Sequence, residues 1–265
     1  MPILTMNPIS REFSLIYGTV SSGKTTFLVN IISDILNAHF GIGESVNIKV
    51  VTNYTKSFID KLIKCHDKEI IQVDSTMLKI SQGKKDSFIT FECPMEFEKR
   101  LKPIADLTKS GPSFTFNLID STHVVKIDYL FLDDLEWLIH GGPKIILSKL
   151  ESMKKYLIER NIGTYITWRI LPNIRLNPEK KYDITFYTKD ESNYFDIFDC
   201  VWKIENPGPV DIGPSELSAS YQLFNVHTLK NQKEINEGIQ KYRIKITDVG
   251  RPVCNFRMIF GDSND

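Results

Sequence analysis

Residues 18 to 25 read GTVSSGKT, a glycine-framed lysine with the spacing G-x-x-x-x-G-K-T. An apolar run, EFSLIY at 12–17, leads into it, and KTTFLVNIISDILN at 24–37, apolar nearly all round, leads out. The first reads as a buried strand and the second as a helix lying against a sheet. A strand that breaks on glycine and restarts at once as a buried helix constrains the chain to an α/β layer. The glycines let backbone N–H groups turn inward around an anion, and the helix N-terminus adds its partial positive charge. Gly18, Ser21, Ser22, Gly23, Lys24, Thr25 and Thr26 are therefore the candidate phosphate contacts. Lys24 would place a point charge on the β- and γ-phosphates, and the Thr25 hydroxyl would ligate Mg²⁺. The pattern calls for a nucleotide's β- and γ-phosphates with Mg²⁺.

The rest of the chain repeats the alternation. VNIKVVT (46–52), EIIQVD (69–74), YLFL (129–132), GTYITWRI (163–170) and IFDCVWKI (197–204) read as strands. SFIDKLIKC (57–65) and KIILSKLESMKKYLIERN (144–161) read as amphipathic helices. The second places Ile146, Leu150, Met153 and Leu157 on one face, with Lys154 and Lys155 on the solvated one. Residues 75–117 suggest a short hairpin and a helix, and NPGPVDIGPS (206–215) a loop. YRIKITD (242–248) and CNFRMIF (254–260) are separated by five residues, as in a hairpin. Strands alternating with helices predict a mostly parallel central sheet flanked by helices, closed by a C-terminal antiparallel hairpin. At 265 residues, with 42% hydrophobic residues, the chain is expected to be one domain spanning 1–265.

A second chemical element follows the strand at 129–132. Asp133 and Asp134 close it, and Glu136 lies just beyond. A carboxylate at the C-terminal end of a parallel strand sits on the edge where α/β sheets bind ligands. Asp133 is the candidate second group for the metal, with Asp134 or Glu136 as candidate general base. The four cysteines are scattered, and Cys65–His66 has no second pair with zinc spacing. With no leader peptide and no apolar run of membrane-spanning length, the expected setting is cytoplasmic or nuclear.

The order of elements resembles the RecA/RadA/DnaB/KaiC superfamily of phosphate-loop ATPases. Besides the loop at 18–25, VVTNYTKSFIDKL (50–62), YFDIFDCVWKI (194–204) and YRIKITDVGRPVCNFRMIF (242–260) are similar to segments of RadA-, RadB- and KaiC-like proteins. The resemblance implies a RecA-like core covering about 12–260, and makes ATP the expected nucleotide. It also exposes departures. Strongly hydrolysing members carry a glutamate after the second strand, where this chain has Thr52-Asn53-Tyr54-Thr55. Recombinases carry a glutamine after the strand at 163–168, where this chain has Trp168-Arg169. Helicases of the DnaB type carry a basic pair in the terminal hairpin, where Thr247-Asp248-Val249 fall, with Arg251 nearby. Only about a dozen residues precede the first strand, too few for a recombinase's N-terminal domain. The expectation is an ATP-binding accessory factor of the recombinase-paralogue kind, similar to RadB, with weak hydrolysis. It would work in DNA recombination or repair beside another RecA-like subunit or recombinase. The alternatives are a DNA motor, like a DnaB helicase or a packaging ATPase, and a KaiC-like assembly switch.

The superfamily holds DNA on loops after the strands at 129–132 and 163–170. Here those positions offer Lys144, then Arg169, Arg175, Lys180 and Lys181 interleaved with Tyr182. Basic groups suit phosphates and rings suit unpaired bases, so single-stranded DNA is the candidate ligand. The formal net charge is +0, which argues against a polybasic nucleic-acid coat.

Overall fold

The computed structural model describes residues 11–19, 22–65, 69–104, 112–118, 126–135, 143–169, 173–175, 183–185, 196–205, 220–231, 241–249 and 251–259. The chain opens with β1 (Phe13–Gly18), α1 (Lys24–Gly41), β2 (Asn47–Val51) and α2 (Thr55–Cys65). It continues through β3 (Ile70–Asp74), β4 (Met77–Gln82), β5 (Lys85–Glu92), α3 (Pro94–Glu98), β6 (Leu101–Ile104) and β7 (Ser113–Phe116). Next come β8 (Tyr129–Leu132), α4 (Pro143–Glu159), β9 (Gly163–Arg169), β10 (Asn173–Arg175) and β11 (Asp183–Thr185). Last come β12 (Cys200–Glu205), β13 (Ser220–Asn231), β14 (Lys241–Val249) and β15 (Arg251–Ile259).

Eleven strands form one sheet in the order β15-β14-β13-β12-β1-β9-β8-β2-β5-β4-β3. The six central strands, from β12 to β5, are mutually parallel. The strands beyond them on either side are antiparallel. β1 lies near the middle, and β9 is inserted between it and β8. The fold is thus mixed α/β with a parallel centre, as the alternation of strands and helices requires.

Parallel strands covered on both faces read as continuous apolar runs, and β8 is the clearest case. Tyr129 and Phe131 join one core, with Ile16, Ile48, Val50 and the inner side of α1 and α2. Leu130 and Leu132 point the other way, into a second core with Leu15, Ile166 and the apolar face of α4. α1 is buried along most of its length, from Phe27 to Phe40. That explains its apolar composition all round, whereas α4 buries one stripe: Ile146, Leu150, Met153 and Leu157. Among the described residues no helix is long and apolar enough to cross a membrane.

Three expectations need correction. The run at 69–74 is not a further parallel strand: β3 pairs antiparallel with β4 at the sheet edge. Its exposed Ile71 and Val73 fit an edge strand. The C-terminal pairing of β14 with β15 is antiparallel as expected, but it extends a meander that begins with β13. Lys154 is not on a solvated face. It is half-buried, donates to Asp199 Oδ1 at 2.7 Å and also to the Ile197 carbonyl, tying α4 to the start of β12. Lys155 is exposed, as expected. The loop expected at 206–215 lies outside the described residues.

Gly163 opens β9 where no side chain fits. A Cβ there would come within 2.6 Å of the ring of Tyr129, which is fully buried, and 3.3 Å from the Arg11 backbone. The Gly163→Ala variant is therefore expected to lose about 1–3 kcal/mol, the usual cost of overpacking a filled core. Urea unfolding should show a lowered midpoint with an unchanged slope.

Candidate functional site

Parallel alignment brings the carboxyl ends of β1, β9, β8 and β2 side by side on one edge of the sheet. Several residues singled out in the sequence lie on this edge. Gly18 ends β1 with no room for a side chain. A Cβ would lie 2.3 Å from the Ile204 carbonyl oxygen and 2.6 Å from Ser22 Oγ. Gly23 takes a left-handed conformation, φ 91°, and is the N-cap of α1. A non-glycine residue would be strained there. α1 has no acidic residue in its first turn, so no side chain of that turn neutralises the helix N-terminus. Lys24 arches back over the loop, its Nζ donating to the carbonyls of Gly18 (3.0 Å) and Thr19 (2.6 Å). Ser22 is fully buried, and its Oγ has no hydrogen-bond partner among the described residues.

Asp133 stands just past β8, 5% exposed. A buried carboxylate must be matched by donors, and here three threonines supply them. Thr25, from the first turn of α1, donates to Oδ1 at 3.0 Å. Thr167, from β9, donates to the same oxygen at 3.3 Å. Thr52, just past β2, donates to Oδ2 at 3.1 Å. Burial pushes the Asp133 carboxyl above its ordinary range, while the three hydroxyls and the Lys61 charge pull it down.

Asp134 follows with φ 72°, unusual for a non-glycine residue, and its N–H donates to Thr167 Oγ1 at 2.6 Å. The next carboxylate along the edge is Glu92, at the end of β5 beside β2. It is held by Lys49 and by Arg100, the latter at 3.0 Å.

The structure therefore brings together Gly18, Ser22, Gly23, Lys24, Thr25, Asp133 and Asp134. Thr26 belongs to the same first turn and is engaged through its carbonyl, which accepts from Asn30 at 2.7 Å. Ser21 and Glu136 lie outside the described residues, as do Lys180, Lys181 and Tyr182. Lys144 is exposed, in the first turn of α4. Arg169 is the last residue of β9 and stands in register with Gly18, beside the loop rather than out on one. Arg175 falls on β10, which pairs with β11 in a small antiparallel ladder. Thr52 and Thr167 were not anticipated. Threonine is an ordinary strand residue, so neither hydroxyl announces itself in the sequence.

The site fits a nucleotide phosphate with its metal ion. The loop leaves no space for a Cβ at Gly18 and holds the buried Ser22 hydroxyl, which has no partner among the described residues. Beside it stand a hydroxyl and a carboxylate, hard oxygen donors of the kind Mg²⁺ prefers. Among the described residues no group of three or more His, Cys, Asp or Glu could hold a metal. The Cys65 side chain and His66 lie outside the described residues.

The raised Asp133 carboxyl has a consequence for stability. Its folded-state value lies above the ordinary 3.8, so the folded protein takes up this proton more readily than the unfolded chain. The stability linked to that proton is fully present below about pH 4 and is lost as pH rises through the folded value. In metal-free buffer, the stability of the natural protein minus that of Asp133→Asn should fall as pH rises from 4 to 7. Chemical denaturation across that range checks the sign.

No family model matches the chain, and no curated protein sequence matches it. A solved structure of a DnaB-like replicative helicase, described with its interactions with primase, superposes with a TM-score of 0.49 at 10% sequence identity. The match covers 88% of this chain and 55% of that one, so the chain spans little more than half the length of that protein.

Proposed function

We propose that this chain is a RecA-like phosphate-loop domain that binds ATP·Mg²⁺ and turns it over slowly. The observation that carries the reading is the hydrogen bond from Thr25 to Asp133, which joins residues 108 apart at 3.0 Å. It sets the two candidate metal groups side by side at the mouth of the 18–25 loop. The inserted β9 supports the same reading, because it separates β1 from β8 by one strand, roughly 10 Å at ordinary strand spacing. That span leaves room for phosphates and an ion between the loop and the carboxylate.

In this arrangement Gly18 and Gly23 would let the loop backbone approach phosphate oxygens, and Lys24, now on the loop carbonyls, would supply its positive charge to the phosphates. Thr25 and Asp133 would be the residues that hold the ion. Bound Mg²⁺ would supply charge neutralisation across the phosphates. Slow turnover is expected because the position after β2 holds Thr52, a hydroxyl already committed to Asp133, where a general base would stand. Glu92, one strand further, is neutralised by two cations. Asp134 remains the candidate base on this edge, with Glu136 beyond it.

The biological role proposed with this site is that of an accessory subunit to another RecA-like protein or recombinase. Recombination or repair as the setting, and single-stranded DNA as a ligand, rest on the family resemblance rather than on the geometry.

Calorimetry with a non-hydrolysable ATP analogue tests the binding reading. Lys24→Ala is expected to weaken affinity by at least tenfold, and unchanged affinity would overturn the site. Turnover is expected well below about 1 s⁻¹, the lower end of common enzyme rates. Faster turnover that single-stranded DNA stimulates would identify a motor instead.

A further inference from the structure

We infer that Thr52 and Thr167 are positioning residues that aim the Asp133 carboxylate at a nucleotide-bound divalent cation. The inference deepens the reading above and rests on it. Its basis is the direction of four hydrogen bonds. A backbone N–H can only donate, so the contacts of Tyr54 N with Thr52 Oγ1 (3.1 Å) and of Asp134 N with Thr167 Oγ1 (2.6 Å) use each hydroxyl as acceptor. A hydroxyl has one proton. With its oxygen engaged from the main chain, each threonine turns that proton to Asp133: Thr52 to Oδ2 at 3.1 Å, Thr167 to Oδ1 at 3.3 Å. Both side chains are almost fully buried, at 1% and 0% exposure, so neither hydroxyl has water to turn to.

The arrangement divides the carboxylate's labour. Oδ2 is anchored by Thr52 toward β2. Oδ1 faces Thr25, and Thr167 holds it there. A Thr25 hydroxyl that offers its lone pair to a cation can keep its proton on Oδ1, so metal binding need not disturb the carboxylate. Thr167 also accepts from the Asp134 main chain, so β9 supports the positive-φ conformation of Asp134. Groups that orient metal ligands in this way typically govern affinity by 10–100-fold.

The test is Mn²⁺ binding to the full chain, read from the free-ion electron paramagnetic resonance signal at saturating non-hydrolysable ATP analogue. Thr52→Val and Thr167→Val, which keep shape and lose the hydroxyl, are expected to weaken Mn²⁺ binding by about 10–100-fold. Analogue affinity in EDTA should change less than about threefold, and Thr52→Ser and Thr167→Ser should recover most of the loss. Natural Mn²⁺ affinity in the valine variants would overturn the inference. So would an equal loss of metal-free affinity, or serine variants as weak as the valine ones, because both would mark a packing role. If a valine variant does not fold, Thr→Cys at that position, a weak donor of similar size, takes its place with the same expected direction. If the natural protein binds the analogue in EDTA but shows no analogue-dependent Mn²⁺ site, the inference falls while the nucleotide reading survives. Failure to bind the analogue at all overturns both.

Discussion

The carboxylate of Asp133 is buried in the middle of the sheet's carboxyl edge, and a charge in that position has to be met by donors from its surroundings. Three threonines meet it, and each comes from a different part of the chain: the first turn of α1, the end of β2 and the end of β9. Those bonds fix where α1 begins relative to β8, across the strand inserted between β1 and β8. The loop at 18–25 is held from the same side. Gly18 packs so closely on the Ile204 carbonyl of β12 and on Ser22 that no side chain fits there. Sheet order, loop shape and carboxylate environment are therefore one construction.

The proposed slow turnover rests on the surroundings of Asp133, where the three described hydroxyl partners are donors. Thr52 stands at the position where the ATPases that the sequence resembles carry a water-activating glutamate, and its proton goes to Asp133 while its oxygen accepts from Tyr54. Glu92 is near in sheet order, but Lys49 and Arg100 hold its charge. Arg169, read from the sequence as a DNA contact, ends β9 level with Gly18, at the same carboxyl edge as the 18–25 segment.

Much of this was legible in the sequence, for physical reasons that differ by element. β1, β8 and β9 were clear because strands covered on both faces leave uninterrupted apolar runs. α1 and α4 were clear because one is buried all round and the other along a single stripe. The loop was clear because only glycine tolerates the close approach at 18 and the left-handed backbone at 23. The edge strands were harder. β3 exposes Ile71 and Val73, so its apolar content suggested a core strand, and its antiparallel pairing with β4 depends on a turn at 75–76 that carries no glycine. β13 mixes polar and apolar residues without a clear alternation. Lys154 misled because a lysine in a helical charge run usually faces water, whereas its reach to Asp199 depends on where β12 begins. The threonines could not be foreseen, since their role exists only once four strand ends are adjacent.

The proposed metal and phosphate site at the Thr25–Asp133 junction is best tested in crystals of the protein grown with a non-hydrolysable ATP analogue and Mn²⁺ and measured for anomalous scattering. One manganese peak is expected beside the Thr25 hydroxyl, on the Oδ1 side of Asp133, with the phosphates wrapped by residues 18–25. Analogue bound with its phosphates elsewhere, or a manganese peak remote from both residues, would contradict it.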